Sequence, residues 1–340
     1  MAAPGCSVVI VTWNTGDAIR PCLAALEAQG VPGLEVVVVD NASTDATLEH
    51  VAAELPGVLA IRLERNQGFA GAASRGVAAT TADAVCLLNP DVVLGPGYLA
   101  RCLQELAADP ALGSVQGLLL RPGGTMVDSA GHLATRGRWV RNRGENQARD
   151  ATSWVPADTF GVTAAAAVYR RAMLDDVSAV TGHVFDGAFF AYLEDVDLDW
   201  RARWRGWRSA VVDGAEAEHA HSGSGARALP WVQRHIIKNR ILTLYRNEDA
   251  GNLLRYSPWI LGQLAARLAL AAVTAPSSLL GVVDALRLMP SQRGVRRAIR
   301  VARKVDAAAA RAWFGPGGGL RGGLATRTPL PARPRPEKLG

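Results

Sequence analysis

The sequence predicts an α/β fold with a doubly wound, mostly parallel sheet and a helical C-terminal extension. Short apolar runs rich in β-branched residues alternate with helical patterns over the first ninety residues, and polar residues follow each run. Beyond about residue 250 the pattern changes to apolar helices interrupted by Arg and Pro. The 340 residues are 49% hydrophobic and 20% charged, which is typical of a globular chain with a full core.

Four short runs are apolar on both faces, as strands of a helix-covered parallel sheet must be. They lie at 7–12, 35–39, 58–63 and 84–88, and helical patterns lie between them at 17–29, 45–54 and 69–79. Ligands of such sheets bind beyond the carboxyl ends of the strands. The polar residues that close each strand are therefore the first candidates for a site.

Every strand end carries an Asn or Asp, so the four ends are expected to line one crevice. The candidates are Thr12 and Asn14 after the first strand, Asp40 after the second, Asn66 and Gly68 after the third, and Asn89 and Asp91 after the fourth. Asp40 precedes the cap-like 43–45 segment and is placed to accept hydrogen bonds from a base or ribose. Asp91 is either a turn residue or an oxygen ligand for a divalent cation. The first turn lacks GxGxxG, which excludes a dinucleotide fold.

The most unusual segment is 189–208, FFAYLEDVDLDWRARWRGWR. It predicts a helix that begins near Glu194 and buries one stripe of apolar side chains, formed by Leu193, Val196, Trp200, Trp204 and Trp207. Glu194 and Asp195 then lie at the helix start, where a carboxylate pair either accepts a proton or only complements the helix dipole. The pairs Asp197–Arg201 and Asp199–Arg203 are expected on the surface.

Two further segments are expected to be mobile or peripheral. Residues 112–156 are rich in Gly and Arg and predict a long lid or a partly disordered insertion. The helix at 231–247 is predicted to carry Arg234, Lys238 and Arg240 near its solvated edge, where they either reach a diphosphate or only contact solvent.

The net charge of +6 is concentrated at the C-terminus. From Arg287 onward, thirteen Lys or Arg residues stand against Asp306 and Glu337. A basic tail on a mildly acidic body does not indicate a nucleic-acid-binding domain, and an anionic membrane surface is an equally suitable partner. We therefore expect a catalytic domain over 1–250, an amphipathic basic extension over 251–314 that either lies on a membrane or packs on the catalytic domain, and a disordered tail over 315–340.

The cysteines and the N-terminus bear on the cellular compartment. The four cysteines show neither CxxC spacing nor a nearby His pair, so a zinc site and a disulfide framework are not expected. No signal peptide and no uninterrupted spanning segment is recognisable. These observations predict a cytoplasmic protein, bound peripherally at most to the inner face of the plasma membrane.

Five segments in order resemble the motifs of glycosyltransferase family 2, particularly its bacterial rhamnosyltransferase-like members. They are VVIVTWN, VVVVDNASTDAT, NQGFAGAASRG, LLNPDV and the 189–208 segment, and the resemblance covers about residues 7–247. It implies a GT-A fold and inverting, Mg²⁺- or Mn²⁺-dependent transfer of a sugar from a nucleotide-sugar, with rhamnose the first expectation. The implied acceptor is a lipid-linked or cell-envelope glycan.

The resemblance also implies roles for particular residues. Thr12, Asn14 and Asp40 are expected to hold the nucleoside. Asn66, Gly68 and Asn89 are expected to line the nucleotide-sugar cleft. Asn89 stands where the first acid of the family's DxD motif lies, so metal coordination is expected mainly at Asp91, with His221 favoured over His219 as its neighbour. Asp195 is the expected general base, with Glu194 beside it.

Two other classes of function fit the residues less completely. One is a non-catalytic scaffold that binds sugar nucleotides in an envelope complex. The other is a nucleotidyltransferase, which shares the α/β half and the metal requirement but releases diphosphate from a nucleoside triphosphate.

Overall fold

The computed structural model describes residues 5–151, 153–154, 157–220 and 229–315. Its twelve strands in these ranges, numbered in chain order, are β1 Cys6–Thr12, β2 Glu35–Asp40, β3 Leu59–Arg62, β4 Ala84–Leu88, β5 Val92–Leu94, β6 Leu112–Leu120, β7 Val127–Ser129, β8 His132–Ala134, β9 Val140–Asn142, β10 Ala157–Thr159, β11 Ala166–Arg170 and β12 Arg208–His219. All but β8 and β9 belong to one sheet, whose main path is β10–β12–β6–β11–β4–β1–β2–β3.

The first four strands confirm the predicted parallel half of the sheet. β1 lies between β2 and β4 and is parallel to both. Side chains along β1 alternate between two hydrophobic cores, with Val8 and Ile10 on one side and Val9 and Val11 on the other. β3 differs from the expectation of burial on both faces, because it is the edge strand and its side chains are mostly exposed.

The expectation of a mobile lid over residues 112–156 is wrong for most of that segment. β6 is buried along its whole length and pairs in parallel with β12 near the centre of the sheet. β7 pairs with β6, and β8 and β9 form a small antiparallel ribbon. The Gly and Arg residues that suggested a lid belong largely to the turns between these strands. The apolar residues of β6 agree with its burial, whereas the Gly and Arg content of the whole 112–156 segment suggested a loop.

Ten α-helices are present in the described ranges. They are α1 Arg20–Glu27, α2 Thr47–Glu54, α3 Gly68–Ala78, α4 Tyr98–Ala108, α5 Arg171–Thr181, α6 Glu194–Trp204, α7 Pro230–Asn247, α8 Ala250–Thr274, α9 Leu280–Leu288 and α10 Arg293–Ala302. α6 begins at the predicted residue, and Val196, Trp200 and Trp204 are buried as expected. The predicted stripe ends earlier than expected, because Trp207 lies beyond the helix and packs against a different core.

The C-terminal helices differ in how much they bury. α9 packs on α7, where Arg234 Nη2 donates to Asp284 Oδ1 at 2.9 Å, and α10 packs on α5 and α7. α8 buries only Asn252, Ile260 and Ala271. Among the helices of the described chain, none combines the length and the apolar character needed to span a membrane.

Candidate active site

A buried carboxylate joins the ends of β1 and β2. Thr12 and Asp40 are register partners, and the Thr12 hydroxyl donates to Asp40 Oδ1 at 3.2 Å. The Ser43 N–H donates to Asp40 Oδ2 at 3.1 Å. Asp40 is fully buried, so its carboxylate supports the loop after β2 and does not reach solvent. The contact with a base or ribose stays a prediction.

Asn14 forms the rim above this carboxylate. Its φ of 49° lies in the left-handed region, which Asn tolerates better than most residues. Its Oδ1 accepts from the Thr44 N–H at 2.8 Å, and its own N–H donates to Ser43 Oγ at 2.9 Å. Trp13, next to it, is 53% exposed. The rim therefore presents an indole ring beside a fixed amide.

The loop after β3 contacts the segment that precedes α6. Asn41 holds this loop, since its Oδ1 accepts from the Gln67 N–H at 2.7 Å and its Nδ2 donates to Gly68 O at 3.1 Å. The Gly68 N–H donates to Asn66 Oδ1 at 2.8 Å. Gly68 has φ of 72°, and a Cβ there would lie 2.2 Å from Phe190 O. Only glycine permits this close approach.

The end of β4 is linked to Asp195 through two consecutive residues. The Asn89 N–H donates to Ala165 O at 2.8 Å, and the Ala164 N–H donates to Asp195 Oδ2 at 3.3 Å. The end of β4 therefore lies close to the start of α6.

The Asp91 carboxylate faces a histidine side chain. Its Oδ1 lies 3.4 Å from His219 Nε2, and His219 Nδ1 lies 2.9 Å from the buried Asp128 Oδ2. Burial lowers the pKa of His219, but hydrogen bonds to Asp128 and Asp91 outweigh it and raise the pKa to about 9. Asp128 lies in β7, inside the segment expected to be a lid, so sequence reading missed it.

Asp91 and His219 are the residues of the described chain that could hold a divalent metal once the imidazole is deprotonated. A carboxylate oxygen and an imidazole nitrogen face each other, and the buried Asp128 orients the ring as carboxylates do for metal-bound histidines. Within the described ranges, no group of three His, Cys, Asp or Glu side chains is arranged to hold a metal ion. His221, the histidine favoured from sequence, lies outside the described residues.

The backbone before α6 is held in an unusual conformation. Phe190, Tyr192 and Leu193 have positive φ values of 63°, 72° and 66°, and such residues each cost about 1 to 3 kcal/mol. Asn239 of α7 is fully buried, and its Nδ2 lies 2.8 Å from Ala191 O and 2.6 Å from Tyr192 O. α7 therefore fixes the turn that aims the first residues of α6.

The two acids at the start of α6 have different environments. Asp195 keeps 15% of its side chain exposed, and its Oδ1 accepts from the Val196 N–H at 2.8 Å. Glu194 is buried, and its Oε2 has no hydrogen-bond partner among the described residues. Burial, reinforced by the charge of Asp195, raises the pKa of Glu194 well above its usual range. Asp195 is therefore the more accessible of the two acids.

A buried histidine lies behind Asp195. His132 Nδ1 lies 2.6 Å from Asp199 Oδ2, and His132 Nε2 lies 3.8 Å from Asp195 Oδ2. Burial lowers the pKa of His132, but Asp199 and Asp195 outweigh it and raise the pKa. Sequence reading missed His132 because it lies in the supposed lid. The four-residue spacing of Asp195 and Asp199, which places both on one helix face, was the available signal.

The two ion pairs expected on the surface of α6 have different outcomes: Asp197–Arg201 forms but is buried, and Asp199–Arg203 does not form. Asp197 Oδ2 accepts from Arg201 Nε at 2.8 Å, and Asp197 Oδ1 accepts from Asn247 Nδ2 at 2.8 Å. Asp199 pairs with the histidine described above, while Arg203 donates to a main-chain carbonyl at 2.8 Å. The charged side chains of α6 are thus enclosed by other parts of the protein. Lys238 of α7, expected near a solvated edge, is also buried and donates to Ala188 O at 2.7 Å.

The sequence model of glycosyl transferase family 2 matches residues 7–178, about half of the chain. The chain belongs to this family. It is a glycosyltransferase, and the expectation drawn from its five motifs is confirmed. The matched region contains the four strand ends and His132, and stops short of α6.

Curated relatives agree with this family. The N-acetylglucosaminyl-diphospho-decaprenol L-rhamnosyltransferase of Mycobacterium tuberculosis is 28% identical over 239 residues, which cover 63% of this chain and 76% of the relative. The succinoglycan biosynthesis protein ExoO of Rhizobium meliloti is 37% identical over 117 residues, about a third of either chain.

Two solved structures share the fold. The mannosyltransferase PcManGT of Pyrobaculum calidifontis, in complex with GDP-Man and Mn²⁺, has a TM-score of 0.53 and 21% identity, covering 92% of this chain and 88% of its own. GalNAc-T7 with UDP, GalNAc and Mn²⁺ has a TM-score of 0.61 and 13% identity, covering 86% of this chain and 56% of its own. The fold of the chain is therefore GT-A, as predicted.

Proposed function

We propose that this glycosyltransferase moves a sugar from a nucleoside-diphosphate donor to a hydroxyl group with inversion, and that Asp195 is the general base. The observation that carries the proposal is the contrast between two adjacent acids: Asp195 keeps 15% of its side chain exposed, whereas Glu194 is buried. A base must hold a free lone pair within reach of the acceptor hydroxyl. Glu194, buried beside Asp195, is the less accessible of the two acids.

In the proposed step, the acceptor oxygen attacks the anomeric carbon from the face opposite the diphosphate. A new carbon–oxygen bond forms as the bond to the diphosphate oxygen breaks, and the electron pair leaves with the nucleoside diphosphate. The acceptor proton passes to Asp195. Hydrogen bonds from the Ala164 and Val196 N–H groups hold the carboxylate in one orientation for this transfer.

The donor is proposed to lie across the strand ends. Thr12, Asn14 and Asp40 would hold the nucleoside, with Asn66, Gly68 and Asn89 along the nucleotide-sugar cleft. Asp91 and His219 would hold Mg²⁺ or Mn²⁺, which neutralises charge on the leaving diphosphate. His221 is retained as a further metal neighbour. Coordination requires His219 to lose the proton that Asp91 and Asp128 stabilise.

The substrates are proposed from the relatives. The mycobacterial relative is named for transfer of L-rhamnose to a diphospho-decaprenol-linked sugar, which supports dTDP-rhamnose as donor and a lipid-linked or envelope glycan as acceptor. A protein that meets such an acceptor must work at a lipid surface. We place the chain in the cytoplasm, with catalytic residues in 1–250 and a membrane-associating extension over 251–314.

The test is release of nucleoside diphosphate from a panel of nucleotide-sugars with Mn²⁺ present. We expect the protein to hydrolyse or transfer at least one donor and Asp195→Asn to lower the rate by about a thousandfold, since the isosteric amide keeps the shape but removes the base. Asp175→Asn on α5 is the matched control and should retain the rate. Equal rates for Asp195→Asn and the unsubstituted protein would remove Asp195 as the base.

A further inference from the structure

Two arginines of the described chain have buried N–H groups without the partners that buried arginines normally have. Arg240 lies on α7 and Arg267 on α8. Arg240 Nε and Nη1 and Arg267 Nε are all buried without a hydrogen-bond partner among the described residues. The guanidinium of Arg240 stacks over the ring of Trp139, 3.2 Å from the ring centroid. An aromatic face attracts the charge but accepts no conventional hydrogen bonds.

Other buried arginines of the described chain have hydrogen-bond partners within the chain. Arg201 is paired with Asp197 at 2.8 Å, and Arg246 with Asp186 at 2.8 Å. Arg143, which has no acidic partner, donates to Ala130 O at 2.9 Å. Burial of an unpaired charge is unfavourable, so an unpaired arginine at one place suggests a partner that the chain itself does not supply.

The cavity beside Arg240 is lined on its polar side by hydrogen-bond donors. Arg138, Trp200 and Thr243 line it, and each is more than nine-tenths buried. Arg138 Nη2, Trp200 Nε1 and Thr243 Oγ1 all lack a partner among the described residues. Among the described residues no carboxylate lines the cavity, although Arg138 is paired through Nε with the buried Glu248, which is not a lining residue. A cluster of N–H and O–H groups without an acceptor matches an anion.

Electrostatics lead to the same class of ligand. Burial lowers the pKa of Arg240 to about 9, and the charge of Arg267 acts in the same direction. Burial also lowers the pKa of Arg267. Two desolvated cations that repel each other are stabilised by an anion between or beside them.

The cavity lies next to the two acids at the start of α6. Leu193 and Val196, which flank the two acids of α6, line its apolar side. Arg267 belongs to the exposed helix α8, and from 250 to 283 the chain has no Asp or Glu. An anion bound here would lie between the catalytic helix and an apolar, acid-free surface.

We infer that Arg240 and Arg267, with the donors of this cavity, form a binding site for a phosphate or diphosphate group. Guanidinium groups bind phosphate oxygens through paired N–H donors. The inference rests on the proposed function, in which the acceptor is lipid-linked. Two sources share this chemistry: the headgroup of a prenyl-diphosphate acceptor and free inorganic phosphate or diphosphate.

Calorimetric titration of the full chain distinguishes the sources. The probes are farnesyl diphosphate, inorganic diphosphate and farnesol, each in buffer with a chelator so that no metal-bound diphosphate forms at Asp91. We expect farnesyl diphosphate to bind and farnesol not to bind. Tighter binding of farnesyl diphosphate than of inorganic diphosphate assigns the site to a lipid-linked headgroup, and equal binding assigns it to the free anion.

Arg240→Gln and Arg267→Gln are each expected to weaken diphosphate binding by about tenfold or more, because each removes a charge-assisted hydrogen-bond donor. Arg20→Gln on α1 removes the same charge at an exposed site and should leave binding unchanged. Arg267 lies on the largely exposed α8, so its variant keeps the test available if Arg240→Gln does not fold, as judged by circular dichroism.

Three results would overturn the inference: no binding of either diphosphate, farnesol binding as tightly as farnesyl diphosphate, or equal binding by the unsubstituted protein and both folded variants. These titrations need no sugar transfer. Failure of the proposed function would appear separately, as absence of nucleoside-diphosphate release, and failure of the phosphate site would appear with release intact.

Discussion

At the scale of single residues, the notable feature is that the proposed base does not act alone. Asp195 faces His132, and His132 is held by Asp199 through a 2.6 Å contact. His132 and Asp199 are both buried, so an effect on the reaction must pass through Asp195. A ring held in place by Asp199 can orient the Asp195 carboxylate. We therefore propose His132 as a positioning residue.

His132→Gln is predicted to lower kcat by about tenfold with little change in KM, because the proposed base loses the ring that lies behind it while the donor contacts stay in place. The glutamine amide retains a hydrogen bond to Asp199. The measurement is donor turnover across pH 5 to 9, with KM and kcat determined separately. His50→Gln, a partly exposed histidine far along the chain, serves as control.

A purely structural role for His132 makes a different prediction. In that case the variant would lose thermal stability, and kcat of the folded protein would not change. An unchanged kcat in a folded His132→Gln protein would therefore contradict the positioning role. Asp199→Asn should lower kcat in the same way, because it removes the carboxylate that holds the imidazole ring.

At the scale of elements, α6 and α7 are joined by a buried charge network. Arg246 of α7 donates to Asp186 and lies 3.4 Å from Asp197 of α6. Its Nη2 also donates to His183 Nε2 at 3.0 Å. Burial, followed by the charge of Arg201, lowers the pKa of His183 to about 4. The histidine is thus held neutral as an acceptor, and the helix pair depends on that protonation state.

This arrangement predicts an acid-sensitive contribution to stability. The folded-state pKa of His183 lies below its ordinary value of 6.5, so the unfolded chain binds the extra proton first and stability falls as pH drops from about 6.5 towards 4. The contribution lost by pH 4.5 is about 2 to 3 kcal/mol. Urea unfolding at pH 7 and pH 4.5 measures it.

His183→Gln is the comparison for that measurement, because the amide oxygen can accept from Arg246 but does not titrate. Its free energy of unfolding should fall less between the two pH values than that of the unsubstituted protein. Carboxylates titrate in both proteins and cancel in the difference. The same decrease in both proteins would show that His183 does not contribute.

At the scale of the whole molecule, the least explained surface is α8. Leu254, Leu261 and Val273 are 79%, 61% and 84% exposed. The acid-free stretch from 250 to 283 is followed by the basic residues of α10 and of the sequence beyond it. An apolar surface with adjacent positive charge suits an anionic lipid surface, to which each Lys or Arg contributes about 1 kcal/mol.

Replacing Leu254, Leu261 and Val273 together by Ser is predicted to weaken binding to vesicles of phosphatidylglycerol and phosphatidylcholine by about tenfold or more, because the apolar area that enters the lipid is lost. Co-sedimentation at low and high salt measures it, and binding should also weaken with salt. Leu59→Ser on the edge strand β3, 49% exposed, is the matched control.

Two outcomes would contradict the lipid surface. One is vesicle binding that the triple substitution does not change. The other is a dimer of the unsubstituted chain in solution that the triple substitution converts to a monomer, which would assign the face of α8 to a second copy.

The sequence by itself determined the α/β alternation, the four strand ends and the residue at which α6 begins. These features follow from side-chain periodicity, strand-closing polar residues and motif order, all of which are local along the chain. The family was recognisable for the same reason. Asp91 and Asp195 are recognisable as candidate site residues for the same reason.

The tertiary structure alone decided which charges are buried and what they face. His132, Asp128 and Asn239 approach α6 and β12 from distant parts of the chain, and no local pattern encodes such contacts. The ion pairs of α6 looked like surface pairs because their spacing is the same whether the helix face is exposed or covered. Burial depends on neighbours brought together by folding, so the charge environment of the site was determined only by the packed structure.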